Sequence, residues 1–222
     1  MILNQKKTKV MMFNYTDNYQ FTTRLRLNNE NIEVVNKTKL LGVIVSDDLK
    51  WEENTQYLVK KANARLELLR KVASFTTSVA EKKTIYVLYI RSILEQSCVV
   101  WHSRLTNENS EDLERVQKAA LKIILGNSYT NYEEALIKAN LDSLKDRRVE
   151  LCKKFALKCI RNEKTQHMFP MKNKQHAMKN RQEEKYIVNY AKTGRLKDSA
   201  IPFMQRLLNN ENKLSIRKRM PG

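Results

Sequence analysis

The chain has 222 residues with 42 Lys+Arg against 24 Asp+Glu, a net charge of +18, and only four glycines and three prolines. That length permits a buried core, and so few turn residues argue against a fold of many short strands and for a helix-rich one. No run approaches the ~20 apolar residues that cross a bilayer, and Met1-Ile2-Leu3 gives way at once to polar and basic residues, so an intracellular location is expected.

Strands are predicted at 8 to 13, 21 to 27, 32 to 35 and 39 to 45, separated by Asn-rich turns such as Asn28-Asn29-Glu30-Asn31. In the last of these, Leu40, Leu41, Val43, Ile44 and Val45 form an apolar, largely β-branched stretch broken by Gly42, which suits a mostly buried strand. Ser46 to Lys50 turns the chain. From Trp51, the residues Leu58, Val59, Ala62, Leu66, Leu69 and Val72 recur at three- and four-residue steps, predicting a helix over 51 to 73 with one buried stripe. Its other face carries Lys60, Lys61, Arg65, Arg70 and Lys71.

Further helices are predicted at 79 to 100, 109 to 125, 131 to 140 and 144 to 162. Ser78 with Glu81 and Thr130 with Glu133 have capping-box spacing, Ser143 suits an N-cap and Gly126 a stop. The helices 79 to 100 and 109 to 125 are apolar over a broad arc, which places them at the centre, with Tyr86, Tyr89 and Trp101 as packing residues. The segment 163 to 179 is polar, basic and broken by Pro170, so it reads as a linker or a loop that orders on binding. Short helices at 180 to 192 and 202 to 209 are expected to flank a turn at Gly194. The fold class expected is mainly α, a helical bundle with a small N-terminal antiparallel sheet, in three parts: 1 to 50, 51 to 162 and a basic tail, 163 to 222.

The charge is uneven. Residues 1 to 144 hold 21 Lys+Arg against 17 Asp+Glu, and residues 145 to 222 hold 21 against 7. Such a surface draws polyanions by releasing their condensed counterions, which makes nucleic acid the favoured partner. The competing readings are a solvated basic surface without a partner and an anionic membrane; the tail lacks the clean apolar face with Trp or Phe anchors that a membrane needs. A second basic stripe follows Ser143: Arg147, Arg148, Lys153, Lys154, Lys158 and Arg161. Arg195, Lys197 and Arg206 add weaker sites, and Arg217-Lys218-Arg219 closes the chain as a nuclear-import string or a solvated end.

Cys98, Cys152 and Cys159 are an odd number in apolar helical settings, as for packed, reduced thiols. The order Cys152, Cys159, His167, His176 lacks the short paired spacings of a zinc site, so no metal and no cofactor is expected in this chain. There is no Gly-rich phosphate loop and no nucleophile arrangement around His102.

Several blocks are similar, in order, to non-LTR (LINE-type) retrotransposon reverse transcriptases. Asn4-Gln5-Lys6-Lys7-Thr8 looks like the family's N-x-x-K-T strand after the catalytic hairpin. Lys39 to Trp51 and the basic helix beyond resemble the passage from the palm's last hairpin to the thumb. Tyr86 to Leu94 with Val99, Val100, Trp101 and His102, then Leu113 to Gly126, then Leu144 with Arg147-Arg148, and Ser199 to Asn209 resemble its later blocks. The resemblance implies a parent RNA-directed DNA polymerase using Mg, with Lys7 as a candidate proton donor to the leaving pyrophosphate and RNA or primer–template as partner. The family's aromatic-x-Asp-Asp hairpin, whose carboxylates hold the metal ions, does not occur here. Asp47-Asp48 imitates it but lacks the aromatic lead and falls in a turn before a helix. The expectation is therefore a nucleic-acid-binding fragment, inactive alone for want of the palm and fingers upstream. The alternatives are a non-enzymatic helical module acting through protein contacts, and a relic of a decayed element.

Overall fold

The computed structural model describes residues 4, 7–13, 25–27, 30–75, 78–172 and 185–219, with side chains through Glu211. The N-terminal region forms three separate two-stranded pairs, not one sheet. β1 (Lys9–Val10) runs parallel to β4 (Glu33–Val34), against the antiparallel expectation, and β2 (Arg26–Leu27) pairs antiparallel with β3 (Glu30–Asn31). The strand predicted over 8 to 13 is thus two residues long, and most of the one at 21 to 27 lies outside the described residues.

β5 (Lys37–Leu40) and β6 (Val43–Ser46) form a hairpin in the register Leu40↔Val43 to Lys37↔Ser46. Its two-residue turn places Leu41 at φ 48 and Gly42 at φ 87. Both central residues at positive φ is the turn whose twist matches that of the strands, and Leu is an unfavoured occupant of the first. The chain is less buried here than the sequence suggests: Val43 is in the core, whereas Leu40 and Leu41 are exposed at 61% and 91%.

The helical region follows its predicted order. α1 (Glu52–Phe75) buries Leu58, Ala62, Leu66 and Leu69 along one stripe. The helix expected over 79 to 100 is interrupted: α2 (Val79–Ile85) passes into a π-helical turn (Tyr86–Arg91), then α3 (Ser92–Leu94) and, after a break, α4 (Cys98–Trp101). Ser97 at the break sits at φ 52. Its neighbours are pinned on both sides: buried Trp101 donates its Nε1–H to the Gln96 carbonyl at 3.0 Å, and Glu95 is paired with Arg91 one turn away and with the distant Arg147. The pairing with Arg147 is one that no local propensity encodes.

α5 (Asn107–Leu125), α6 (Tyr132–Ala139) and α7 (Leu144–Arg161) complete the main bundle, with α5 packed against α1, α2, α6 and α7. Ser78 and Ser143 cap as expected, accepting from the backbone N–H of Glu81 and Asp146. α6 is capped by Asn131, one residue after the predicted Thr130, which bonds the Glu134 side chain instead. Gly126 ends α5 at φ 54.

The region after α7 differs most from expectation. Residues 163 to 172 are packed and not a free linker: Phe169 is buried in a second core with Cys152, Ala156, Cys159, Tyr186, Met204 and Leu208. Of the helix predicted over 180 to 192, residues 180 to 184 lie outside the described residues and 185 to 192 are not helical, with Tyr186 bridged to Met171. Gly194 opens the short α8 (Gly194–Lys197), and α9 (Ala200–Arg219) is far longer than the 202 to 209 helix expected. Backbone bonds between Ile187 N–H and Pro170 C=O and between Lys172 N–H and Lys185 C=O, with two side-chain amides on α9, hold this segment out of a helix. Asn209 accepts from Tyr186 N–H and donates to Tyr186 C=O, both at 2.9 Å, while Gln205 accepts from Asn189 N–H at 3.0 Å and donates to Met168 C=O at 2.8 Å. A helix thereby satisfies the backbone groups that a neighbouring strand would otherwise pair.

Candidate nucleic-acid interface

The solvent face of α1 follows from its buried stripe. With Leu58, Ala62, Leu66 and Leu69 turned to the core, Lys60, Lys61, Arg65, Arg70 and Lys71 are all exposed. Arg70 is partly neutralised by Glu67 at i−3, and the other four make no ion pair among the described residues.

The hairpin adds to this face. Alternation along β5 puts Lys37 and Lys39 on one side of the strand, and both reach α1: Lys37 pairs with Glu53 at 3.0 Å, and Lys39 donates to Tyr57 Oη at 2.6 Å with its ammonium 4.4 Å from the ring centre. The bond from Lys39 holds the Tyr57 hydroxyl below its ordinary pKa, assisted by the positive charges of Lys39 and Lys61. A cluster of Lys39, Tyr57 and Lys61 thus joins strand to helix. Sequence reasoning missed both β5 lysines, because the strand predicted at 39 to 45 only begins at Lys39 and leaves Lys37 outside it.

The second stripe divides. Lys154, Lys158 and Arg161 are exposed along α7. Arg147 is tied to Glu95 at 3.1 Å and only 28% exposed, and Lys153 is held between Glu150 and Glu211, which raise its pKa. Arg148 does not belong to the surface set at all. Its guanidinium is fully buried, donating from Nε to His102 Nδ1 at 3.3 Å and from Nη2 to Ser110 Oγ at 3.1 Å, with Nη1 left without a partner. The reason is helical phase: Arg148 falls in line with Leu144, Cys152, Ala156 and Cys159, the residues that α7 buries.

Around Arg148 lies a network that the sequence did not announce. Burial pushes the Tyr86 hydroxyl well above its usual pKa, and it donates to Gln117 Oε1. Gln117 Nε2 donates to Tyr132 Oη and to the Asp142 carbonyl, both at 2.9 Å. Tyr132 in turn bonds Glu114, whose carboxylate accepts the first backbone N–H groups of α7, Leu144 at 3.3 Å and Lys145 at 2.7 Å. Burial also lowers the pKa of His102 to about 4, with the charges of Arg148 and Lys145 adding to the effect. Two bonded sets therefore lie along α5, Arg148 with His102 and Ser110, and Tyr86 with Gln117, Tyr132 and Glu114; the second fixes where α7 begins.

The remaining predicted residues are scattered. Lys7 is exposed just before β1, Lys197 is exposed on α8, Arg195 is half-buried, and Arg206 lies near Asp198 at 3.7 Å. Arg217, Lys218 and Arg219 fall in α9, but their side chains are outside the described residues. Asp47-Asp48 forms a turn: Asp48 accepts from Ser46 Oγ at 2.6 Å and from Lys50 N–H at 2.9 Å. Those bonds outweigh the effect of partial burial and keep its carboxyl below the ordinary range.

Among the described residues no three His, Cys, Asp or Glu side chains are grouped to hold a metal ion, and the three cysteines are free and buried. His176 lies outside the described residues. No described helix is long and apolar enough to cross a membrane. No family model, curated protein or solved structure matches the chain.

Proposed function

We propose that this chain is an intracellular nucleic-acid-binding unit, the part of a polymerase that follows the catalytic centre in proteins resembling non-LTR retrotransposon reverse transcriptases. Its role is to grip RNA or primer–template by the phosphate backbone, not to form the new bond. The observation that carries the reading is the exposed face of α1, where Lys60, Lys61, Arg65 and Lys71 are joined by Lys39 from the β5–β6 hairpin. Phosphate contacts from Lys and Arg set register on a duplex without reading sequence, as a thumb-like element requires.

In this proposal Mg belongs to the upstream palm, since the only Asp-Asp pair is occupied in a turn. Titration of labelled primer–template over a range of salt tests the reading. Binding that weakens with log[salt] at a slope of about 0.7 to 0.9 per phosphate contacted is expected; binding absent at low salt, or insensitive to salt, contradicts it. With Mg and dNTPs added, no primer extension is expected, and extension by the pure chain refutes the argument from the missing carboxylates.

A further inference from the structure

We infer that Cys98 and Cys152 form an oxidation site, a thiol pair that a hydroperoxide converts to a disulfide joining α4 to α7. The two helices pack on one another, and both cysteines are buried, at 2% and 1% exposure. Their thiols share a hydrogen bond across that contact. Buried Arg148 stands one turn before Cys152 on the same face of α7; its charge acts on both sulfurs, and its Nη1 has no partner. His102, one turn after Cys98, accepts from the Nε of the same guanidinium. The bond from Cys152, helped by the charge of Arg148, holds the Cys98 thiol below its ordinary pKa against burial and the charge of Glu95. That bond, burial and the neighbouring sulfur push Cys152 upward. The two thiols thus differ in part: Cys98 is the nucleophile and Cys152 the resolving partner.

The backbone gives the oxidant its way in. Cys98 opens α4, a single turn that follows the break at Ser97, an exposed residue at φ 52. Buried Trp101 anchors the far end of that turn, so the end that opens locally, at far less cost than global unfolding, is the one that carries Cys98. Cys159 is no rival partner for Cys152: it lies seven residues on along the same helix, about 10 Å at 1.5 Å per residue, beyond the Cα separation of about 7 Å that a disulfide spans. In the step proposed, the Cys98 thiolate attacks one oxygen of the hydroperoxide, the O–O bond breaks, and the departing alkoxide or hydroxide takes up the proton that Cys98 has lost. Sulfur is thereby oxidised to the sulfenic acid. The Cys152 sulfur, giving up its proton, then attacks Cys98; the S–O bond breaks and hydroxide leaves with that proton as water. One hydroperoxide and two thiols become one disulfide, one water and one alcohol, the alcohol being a second water when the oxidant is hydrogen peroxide.

The test treats the full, folded and fully reduced chain with an equimolar amount of hydrogen peroxide, blocks the remaining thiols by alkylation, and identifies the peptides by mass spectrometry without reductant. A peptide containing Cys98 joined to one containing Cys152, with Cys159 alkylated, is expected. Alkylation of both Cys98 and Cys152, or a link from either to Cys159, overturns the inference. Cys152→Ser keeps the size of the side chain and removes the resolving sulfur. In that variant a sulfenic acid at Cys98, trapped with dimedone, is expected in place of the link; trapping at Cys159 instead counts against the assignment of Cys98 as nucleophile. The same oxidation in denaturant controls for the fold, because loop closure there favours the near pair Cys152 and Cys159. A link between Cys98 and Cys152 that forms as readily in denaturant as in the native chain would show that the packing of α4 on α7 selects nothing. Nucleic-acid binding enters none of these readings, so the inference stands or falls apart from the proposed function.

Discussion

Buried Arg148 and exposed Lys60 show how little residue type alone says about role. Arg148 is a cation whose environment penalises its charge, and burial lowers its pKa. Replacing it should disturb packing and leave phosphate contacts alone: Arg148→Met is expected to change stability by about 1 to 3 kcal/mol, with nucleic-acid affinity and salt slope unaltered. A change in slope would show that Arg148 reaches the ligand. His102 provides a pH test at the same place. Its folded pKa, about 4, lies below the ordinary 6.5, so the unfolded chain binds the extra proton first as pH falls. The resulting stability is complete above pH 6.5 and is lost as pH drops toward 4, by about 1.4 kcal/mol for each pH unit between those two values. His102→Asn keeps an acceptor for Arg148 without the titration, and denaturant melts between pH 7 and 5 should show its pH dependence flattened. An unchanged dependence would place the titration elsewhere.

Elements show where local chemistry suffices and where it does not. The stripe of Leu58, Ala62, Leu66 and Leu69 marks α1, and the caps at Ser78 and Ser143 were legible because spacing alone specifies them. The break at Ser97 was not, because its supports, Trp101 on Gln96 and Glu95 on Arg147, are a buried ring and a pair 52 residues apart. The segment 185 to 190 was hidden for a similar reason: its pattern permits a helix, and it is held out of one by Gln205 and Asn209 from α9 together with backbone bonds to Pro170 and Lys172. Replacing both amides with leucine should release that strand at a cost of about 2 to 4 kcal/mol for the unsatisfied backbone groups, seen as faster amide exchange at Tyr186 and Asn189. Unaltered exchange would mean that the pairing with Pro170 and Lys172 is enough. In the hairpin, Leu41→Asn should stabilise by about 1 kcal/mol by relieving an unfavoured left-handed residue; a loss in thermal melts would show that Leu41 has a contact the fold does not reveal.

For the whole molecule, the helical order, the core helices and the basic face of α1 could be read from period and charge. The seating of α7 on α5 could not, since it depends on Glu114, Ser110 and Gln117. Nor could the second core, which draws Cys152 and Cys159 from α7, Phe169 and Tyr186 from the polar segments, and Met204 and Leu208 from α9. It packs residues 168 to 172, Tyr186 and the first turns of α9 against α7.

The central claim is that the outer face of α1 grips the nucleic-acid backbone. The most direct measurement compares the salt dependence of duplex binding for the parent chain and Lys60→Glu/Lys61→Glu/Arg65→Glu. The account predicts a loss of affinity of at least about tenfold and a slope shallower by about 0.7 to 0.9 for each phosphate contact removed. Equal affinity and equal slope in the two proteins would contradict it.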